Sequence, residues 1–499
     1  MRSFYDYNGN VINLDVGETT ATPQMFGAKG DGVTDDTNAF LLMEASEYDN
    51  IFIPEGEYVI SSFETEKSVI MEDNAWITTK TYHSDIVVIN GDDNVYKLNL
   101  RLGGQIPHWG VDVEGDNNHF ISIRIDGMDY NNDGANAGVM IRGSNNTFDF
   151  IRFNDFIRRS DPSANDSCPQ GVAFLDNPTN NFIAVIQGFN CKAGVVNAAN
   201  HGTKNKIGTL STVNCGDNTL YCVRGGHMDV GTILHGGSNE VVAVITDTAT
   251  SDTPISEMTT VNIGTLIAST DFEFVVRLKN TGMVSIGNII VTGNINSLLF
   301  ANTENIKSGE VHFGNVYING SVGFLIFLPS NRGTVESVII DSLRVHDKHK
   351  DSMTHLNSQD YMIINSVKQI IIGEYSLHIE DAENAYSGGV TVKHQLTSSL
   401  TKCSRIGKMS CEYDDSVIDS IDFYKSSQAD LKISGGVFKN DNDLITSFFA
   451  DGRATDIKQC ASIPTKGTWK VGDMIAKSDG SAIFLCTASG SPGTWKTIS

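Results

Sequence analysis

Short runs of alternating apolar and polar residues return along this chain every 21 to 35 residues between about positions 90 and 380, each introduced by a polar turn. NHFISIRI from Asn118, NTFDFIRF from Asn146, NFIAVI from Asn181, NKIGTL from Asn205 and NEVVAV from Asn239 are successive cases, and TVNIGTLIAS, MVSIGNIIVT, EVHFGNVYIN and TVESVIIDSL continue the series. Alternation within a run predicts a strand with one buried face. No stretch sustains a 3.6-residue period, so helices cannot supply the crossovers of an ordinary α/β sheet. A chain that keeps making parallel strands without helices has to coil on itself. Turns of roughly 22 to 25 residues, rich in Asn and Gly and poor in Pro, fit a parallel β-helix better than a large sandwich or propeller. Asn at the recurring corner is assigned to left-handed backbone and local hydrogen bonds.

The open end of a solenoid needs a cover. MFGAKGDGVTDDTNAFLLMEAS offers a Gly-rich turn at Gly27, Gly30 and Gly32, then a helix over about 36–45 capped by Thr34 or Asp35, with Phe40, Leu41 and Met43 closing the core. IFIPEGEYVI follows as strand, turn at Pro54 to Gly56, and strand. The pattern weakens after about residue 380, and GTWK occurs at Gly467 and again at Gly493 with alternating residues between. The expected organisation is a cap over 1–60, a β-helix carrying the active site over 61–400, less regular coils over 401–461 and a small β module over 462–499. Trp469 and Trp495 are read as core of that module rather than as sugar platforms.

Composition narrows the function. Across 499 residues, 36 basic side chains face 60 acidic ones, a formal charge of −24, which argues against a nucleic-acid or anionic-membrane partner. No apolar run approaches the roughly 18 residues that cross a bilayer, and MRSFYDYNGN lacks the apolar core of a signal peptide, so a chain soluble as made is expected. The eight cysteines form no CxxC pair. Cys168, Cys191 and Cys215, spaced by 23 and 24 residues, are read as one position on successive coils, holding buried free thiols. Asp31, Asp35 and Asp36 lack the spacing and final Glu of an EF-hand, so neither metal nor cofactor is expected.

FGAKGDGVTDDTNAF, followed about a dozen residues later by IFIPEGEY, is similar to the N-terminal signature of the pectate-lyase-like superfamily. This version looks most like the tailspikes of phages that attack capsulated or O-antigen-bearing bacteria. The resemblance implies an all-β, right-handed, single-stranded parallel β-helix with a cap helix, assembled as a homotrimer. It also implies a depolymerase of bacterial surface polysaccharide, carried on the virion tail and docked through a baseplate or adaptor protein.

Superposing the coils by their second strand puts Asp126, Asn154, Gln187, Ser211 and His235 at nearly one position, with Arg124 and Arg152 two residues earlier. The two long insertions, DGMDYNNDGANAG and DFIRRSDPSANDSCPQG, follow in adjacent coils and bring Asp126, Asp129, Asp133, Asp161 and Asp166 into one neighbourhood with Tyr130, Arg158 and Arg159. Glycoside hydrolysis needs two carboxyl groups, one to protonate the leaving oxygen and one as nucleophile or base. Asp126, at a strand end, is the first candidate, with Asp129, Asp161 or Asp166 as partner and Arg124, Tyr130, Arg152, Arg158, Arg159 and His235 as substrate contacts. Adjacent coils, about 5 Å apart, suit a retaining pair and alternate coils an inverting one; the choice stays open. On a uronate-containing chain, β-elimination through Tyr130, His235, Arg158 or Arg159 is the alternative. His201, His227 and Arg224 form a second polar cluster, and His346, Asp347, His349 and Asp351 a charged loop. A non-catalytic receptor-binding fibre would share the fold. A secreted plant-polymer-degrading enzyme would need a signal peptide and a polygalacturonase-type block, neither of which is found.

Overall fold

The computed structural model describes residues 2–5, 11–14, 19–80, 85–105, 108–128, 137–156, 170–191, 196–199, 202–215, 218–223, 226–236, 241–245, 254–278, 280–301, 306–328, 333–348, 359–364, 367–380, 390–396, 404–413, 418–425, 431–433, 436–438, 446–449, 455–460, 463, 474–477, 481–490 and 494–498. The chain is a β-solenoid of mostly parallel strands, and it divides into two compact units, Met1–Val284 and Ser285–Ser499.

In the first unit each coil contributes one long and one short strand. The long strands Val95–Gln105, His119–Met128, Thr147–Phe156, Phe182–Phe189, Asn205–Val213, His227–Gly236 and Thr260–Ala268 pair in parallel with the next in sequence. The short ones, among them Trp109–Val113, Ala137–Ile141, Gln170–Phe174 and Leu220–Val223, build a second parallel ladder. Equivalent side chains therefore stack along the axis at the strand spacing of about 4.8 Å. Inside, Tyr96, Phe120 and Phe148 form one such stack, with ring centroids 4.9 and 4.4 Å apart.

The long strands are bent, which strict alternation would not produce. Ile207 and Leu210 are both buried although three residues apart, while Gly208 and Thr209 between them are half-exposed. At Gly208 and Gly231 successive coils approach too closely for a side chain, whereas the preceding coil carries Ala184 at the same place. A Cβ on Gly208 would lie 2.5 Å from the Ala184 carbonyl oxygen, and one on Gly231 would lie 2.5 Å from that of Gly208.

The recurring Asn does something other than expected. Asn118, Asn146, Asn181 and Asn205 are buried, and it is the residue before each that takes the left-handed conformation: Asn117, Asn145, Asn180 and Lys204, at φ 59°, 60°, 59° and 62°. Each ladder Asn accepts, through Oδ1, the backbone N–H of the Asn one coil earlier. The distances are 2.8 Å for Asn118 to Asn146, 2.9 Å for Asn146 to Asn181 and 2.9 Å for Asn181 to Asn205. Its Nδ2 donates to a backbone oxygen, Gly91 for Asn118, Gly115 for Asn146, Gly143 for Asn181 and Pro178 for Asn205. A corner interrupts the backbone ladder, and an amide side chain has both the donor and the acceptor needed to satisfy the buried groups left there.

At the N-terminal end the helix is Thr37–Glu44 with Asp36 at the N-cap position. The Asp35 carboxylate accepts the Thr37 N–H at 3.0 Å, and Asp36 turns back to accept the N–H groups of Lys29 at 2.7 Å and Gly30 at 3.1 Å. Asp36 thereby ties the Gly-rich turn to the helix. Phe40 and Met43 are fully buried, as expected; Leu41 is 54% exposed, because the 100° step between helix residues carries it off the core face. Tyr58 is buried under the turn and donates to the Pro54 carbonyl at 2.8 Å.

The second unit repeats the scheme with longer strands: Ile306–Asn319, Gly333–Lys348, Ile370–Glu380 and Ser404–Tyr413 in one parallel ladder, and Ile295–Ala301, Val322–Leu328, Gln359–Ile364, Val390–Leu396 and Ile418–Lys425 in the other. From Gly436–Phe438 onward pairing becomes mainly antiparallel, ending in Met474–Lys477, Ile483–Ala488 and Thr494–Ile498 between and around the GTWK repeats.

Candidate functional site

Register between coils decides which polar residues share a face. Asp126 pairs with Asn154, and Arg124 with Arg152, as superposition of the strands predicts. The rest of the expected column separates. Gln187 is in register with Arg152, Ser211 with Gln187, and His235 with Thr212. Counted from the buried ladder Asn, two outward columns exist: Arg124, Arg152, Gln187 and Ser211, and, two residues further, Asp126, Asn154, Phe189 and Val213. His235 belongs to the inward parity and is 3% exposed. Its Nδ1 lies 2.8 Å from Thr219 Oγ1, its ring meets Phe272 edge to face, and burial holds it neutral with a pKa lowered to about 4. A substrate contact expected of His235 is therefore corrected: the side chain is a core group.

Asp129, Asp161 and Asp166, with Tyr130, Arg158 and Arg159, lie outside the described residues, as do Asp133, His201, Arg224, His349, Asp351, Cys168 and Trp469. His227 is paired with Asp229 at 2.9 Å along its own strand. In the second unit the rings of His346 and His378 meet at 4.7 Å, and Asp347 is fully buried. Among the described residues no group of three or more His, Cys, Asp or Glu could hold a metal ion.

Around Asp126 the structure adds four residues that sequence reasoning missed: Trp76, Arg101, Asp155 and Phe189. Arg101 is in register with Asp126 on the preceding coil, and its guanidinium sits 4.2 Å above the Trp76 ring. An irregularity between Tyr96 and Lys97 shifts that strand by one residue, so counting from Asn94 misplaces Arg101. On the following coil Arg152 lies 4.8 Å over Phe189. Cation and ring hold each other, leaving the arginines ordered beside the carboxylate. Asp155 occupies a left-handed position at φ 57°, next to Asn154; on the coil before, Gly127 takes φ 72°. The Asp155 carboxylate accepts from Asn190 Nδ2 at 3.2 Å and from Asn154 Nδ2 at 3.3 Å. A non-glycine residue held in left-handed backbone directly after the candidate column was the available signal.

Electrostatics singles out the Asp126 carboxyl group. Burial raises the Asp126 pKa, opposed by the charges of Arg101 and Arg152; Asp155 raises it further and Arg124 lowers it. Partial burial, with a second carboxylate nearby, is the circumstance in which an acid holds its proton to higher pH. A half-buried acid, a second carboxylate on the next coil and two ring-backed arginines can together bind a polyhydroxylated or anionic chain and exchange a proton with it.

In class, then, this is a parallel β-solenoid with a polar, ring-lined acid site on its outer face. No protein-family model and no curated protein matches the chain. Two solved phage proteins are similar to it at low level. The N-terminal fragment of gene product 12 of bacteriophage phi29 shares 11% identity, over 90% of this chain and 97% of that one, with a TM-score of 0.27. ORF18 of Geobacillus virus E2 shares 13% identity, over 99% of this chain and 82% of that one, with a TM-score of 0.20. Likenesses this weak carry no argument about activity.

Proposed function

We propose that the chain is a phage tailspike that binds bacterial surface polysaccharide, capsular or O-antigen, and cleaves it by glycosidic hydrolysis. The observation that carries this reading is Asp126, an acid with a raised pKa set between Arg101 and Arg152 and followed one coil later by Asp155. In this reading Asp126 protonates the leaving oxygen. Asp155, fixed by two amide donors, attacks the anomeric carbon or activates water. The arginines, backed by Trp76 and Phe189, favour an anionic repeat. β-Elimination is the alternative; of the residues it calls on, His235 is buried, and Tyr130, Arg158 and Arg159 lie outside the described residues.

The remaining parts of the reading are a homotrimer, location on the virion tail and docking through a baseplate or adaptor protein. A trimer is supported by the need of a long solenoid with exposed Phe182, Val213 and Leu234 to cover apolar surface, which closed symmetry does without open filaments. Light scattering at the mass of one 54.2 kDa chain would refute it.

The test of function is incubation with purified capsules and O-antigens from a serotype panel, followed by mass analysis of soluble products. Hydrolysis yields fragments carrying one added water, whereas elimination yields fragments lighter by one water. Asp126→Asn is expected to reduce the rate by roughly 10² to 10⁴ while leaving binding intact. Binding without fragments from any serotype would make the chain a receptor-binding fibre.

A further inference from the structure

Next to Asp155's partner Asn190 lies a feature that polysaccharide cleavage does not use. Cys191 and Cys215 follow the left-handed residues Asn190 and Asn214, at φ 52° and 54°, and so occupy one position on consecutive coils. Both are free thiols, each 3% exposed. Cys215 donates to the Val213 carbonyl at 3.5 Å, and the one Cys191 proton is shared between the Phe189 carbonyl, 3.4 Å away, and Cys215 Sγ. The strands leading into them pair in register, Phe189 with Val213, and Asn214 Nδ2 reaches Asn190 Oδ1 at 2.8 Å. In-register neighbours in a parallel ladder have Cα atoms about 4.8 Å apart, inside the roughly 4.4–6.8 Å window of a disulfide.

From this placement we infer that Cys191 and Cys215 are a site of oxidative modification, closing a coil-to-coil disulfide when the protein meets a peroxide-class oxidant. The hydrogen bond from Cys191 favours the thiolate of Cys215, making Cys215 the sulfur that reacts first. Its sulfur attacks one peroxide oxygen; the O–O bond breaks, water leaves and Cys215 becomes a sulfenic acid. The Cys191 sulfur then attacks Cys215 Sγ. The S–S bond forms as the S–O bond breaks, and the hydroxyl leaves with the Cys191 proton as a second water. Two thiols and one hydrogen peroxide thus give one disulfide and two waters. Each thiol keeps 3% exposure, and hydrogen peroxide is among the smallest oxidants that could use it. The bond would pin together the two corners whose asparagines, Asn214 and Asn190, hydrogen-bond in sequence to Asp155. The thiol pair stands whether or not the chain cleaves polysaccharide.

The test uses the full chain, purified reduced, exposed to hydrogen peroxide and alkylated after unfolding. Cleavage after Lys and Arg and before Asp isolates Cys191 in peptide 176–192 and Cys215 in peptide 207–216. The expected result is these two peptides joined, lighter by two hydrogen atoms than their sum, with a thermal midpoint raised by a few degrees and restored by dithiothreitol. Cys191→Ser and Cys215→Ser should each abolish the joined species. Recovery of both peptides separately alkylated after peroxide overturns the inference, as does linkage of either to a peptide carrying Cys168 or Cys222.

Discussion

Replacing Asn181 with Ala tests the account of the corner ladder most directly. Asn181 is 1% exposed, and its side chain makes three contacts: Oδ1 accepts the Asn146 N–H at 2.9 Å, and Nδ2 donates to the Gly143 carbonyl at 3.0 Å and to Asn205 Oδ1 at 3.1 Å. The last acceptor keeps a donor, the Asn181 N–H at 2.9 Å, so its loss matters little. The other two leave a buried N–H and a buried C=O without partners. Stranding a buried polar group costs about 1–3 kcal/mol, so the pair amounts to about 2–6 kcal/mol. If the unit Met1–Val284 melts as one block, its unfolding entropy at about 2.1 cal/mol/K per residue is about 0.6 kcal/mol/K, and the midpoint falls by about 3–10 °C. Asn181→Asp should cost more at neutral pH, because it removes the donor and buries a charge, and should recover in part toward pH 4. Thermal and urea denaturation followed by circular dichroism, with the exposed Lys206→Ala as control, measure the difference. An Asn181→Ala protein as stable as the Lys206→Ala control would refute the assignment of the ladder as an energetic element.

Arg101→Ala removes the largest positive influence on Asp126, so the Asp126 pKa should rise and the alkaline limb of the pH–rate profile should move upward, with weaker binding of anionic polysaccharide that added salt no longer screens. Gly231→Ala should destabilise by more than 1 kcal/mol in urea titration, since its Cβ would lie 2.5 Å from the Gly208 oxygen, whereas Gly27→Ala meets no atom within 4 Å and pays only for its left-handed backbone at φ 94°. His235, held neutral down to about pH 4 against an ordinary 6.5, makes the unfolded chain bind the extra proton; stability is full above pH 6.5 and falls between 6.5 and 4, by at most about 3 kcal/mol, and His235→Phe should flatten that decline. Asp112 contributes with the opposite sign: burial raises its pKa to about 6, so the folded state gains stability as pH falls through 6 toward 3.8, and midpoints of Asp112→Asn compared at pH 7 and pH 4.5 report that term.

The fold was legible because its causes are local and repeated. An apolar residue at alternate positions, an Asn at the starts of successive coils from Asn94 to Asn205 and a Gly within most of the long strands recur along the chain, and a parallel solenoid makes every repeat meet the same neighbours. Asp126 over Asn154 and Arg124 over Arg152 followed from the same counting. The sequence by itself also marked Cys191 and Cys215 as equivalent positions, which the corners bear out. What it did not carry was the register wherever a strand departs from the common length. A bulge at Tyr96/Lys97 moved Arg101 beside Asp126, and a one-residue difference in parity turned His235 from the outer face to the core. Because side chains alternate with a period of two, such a slip reverses the face a residue occupies, and no pattern of residue types announces it. The role of the ladder Asn, the pairing of Arg101 with Trp76 and of Arg152 with Phe189, and the approach of Asp155 to Asp126 all depend on contacts between coils some 25 to 35 residues apart in sequence. Those contacts exist only once the coils are stacked, so the tertiary structure alone decided them.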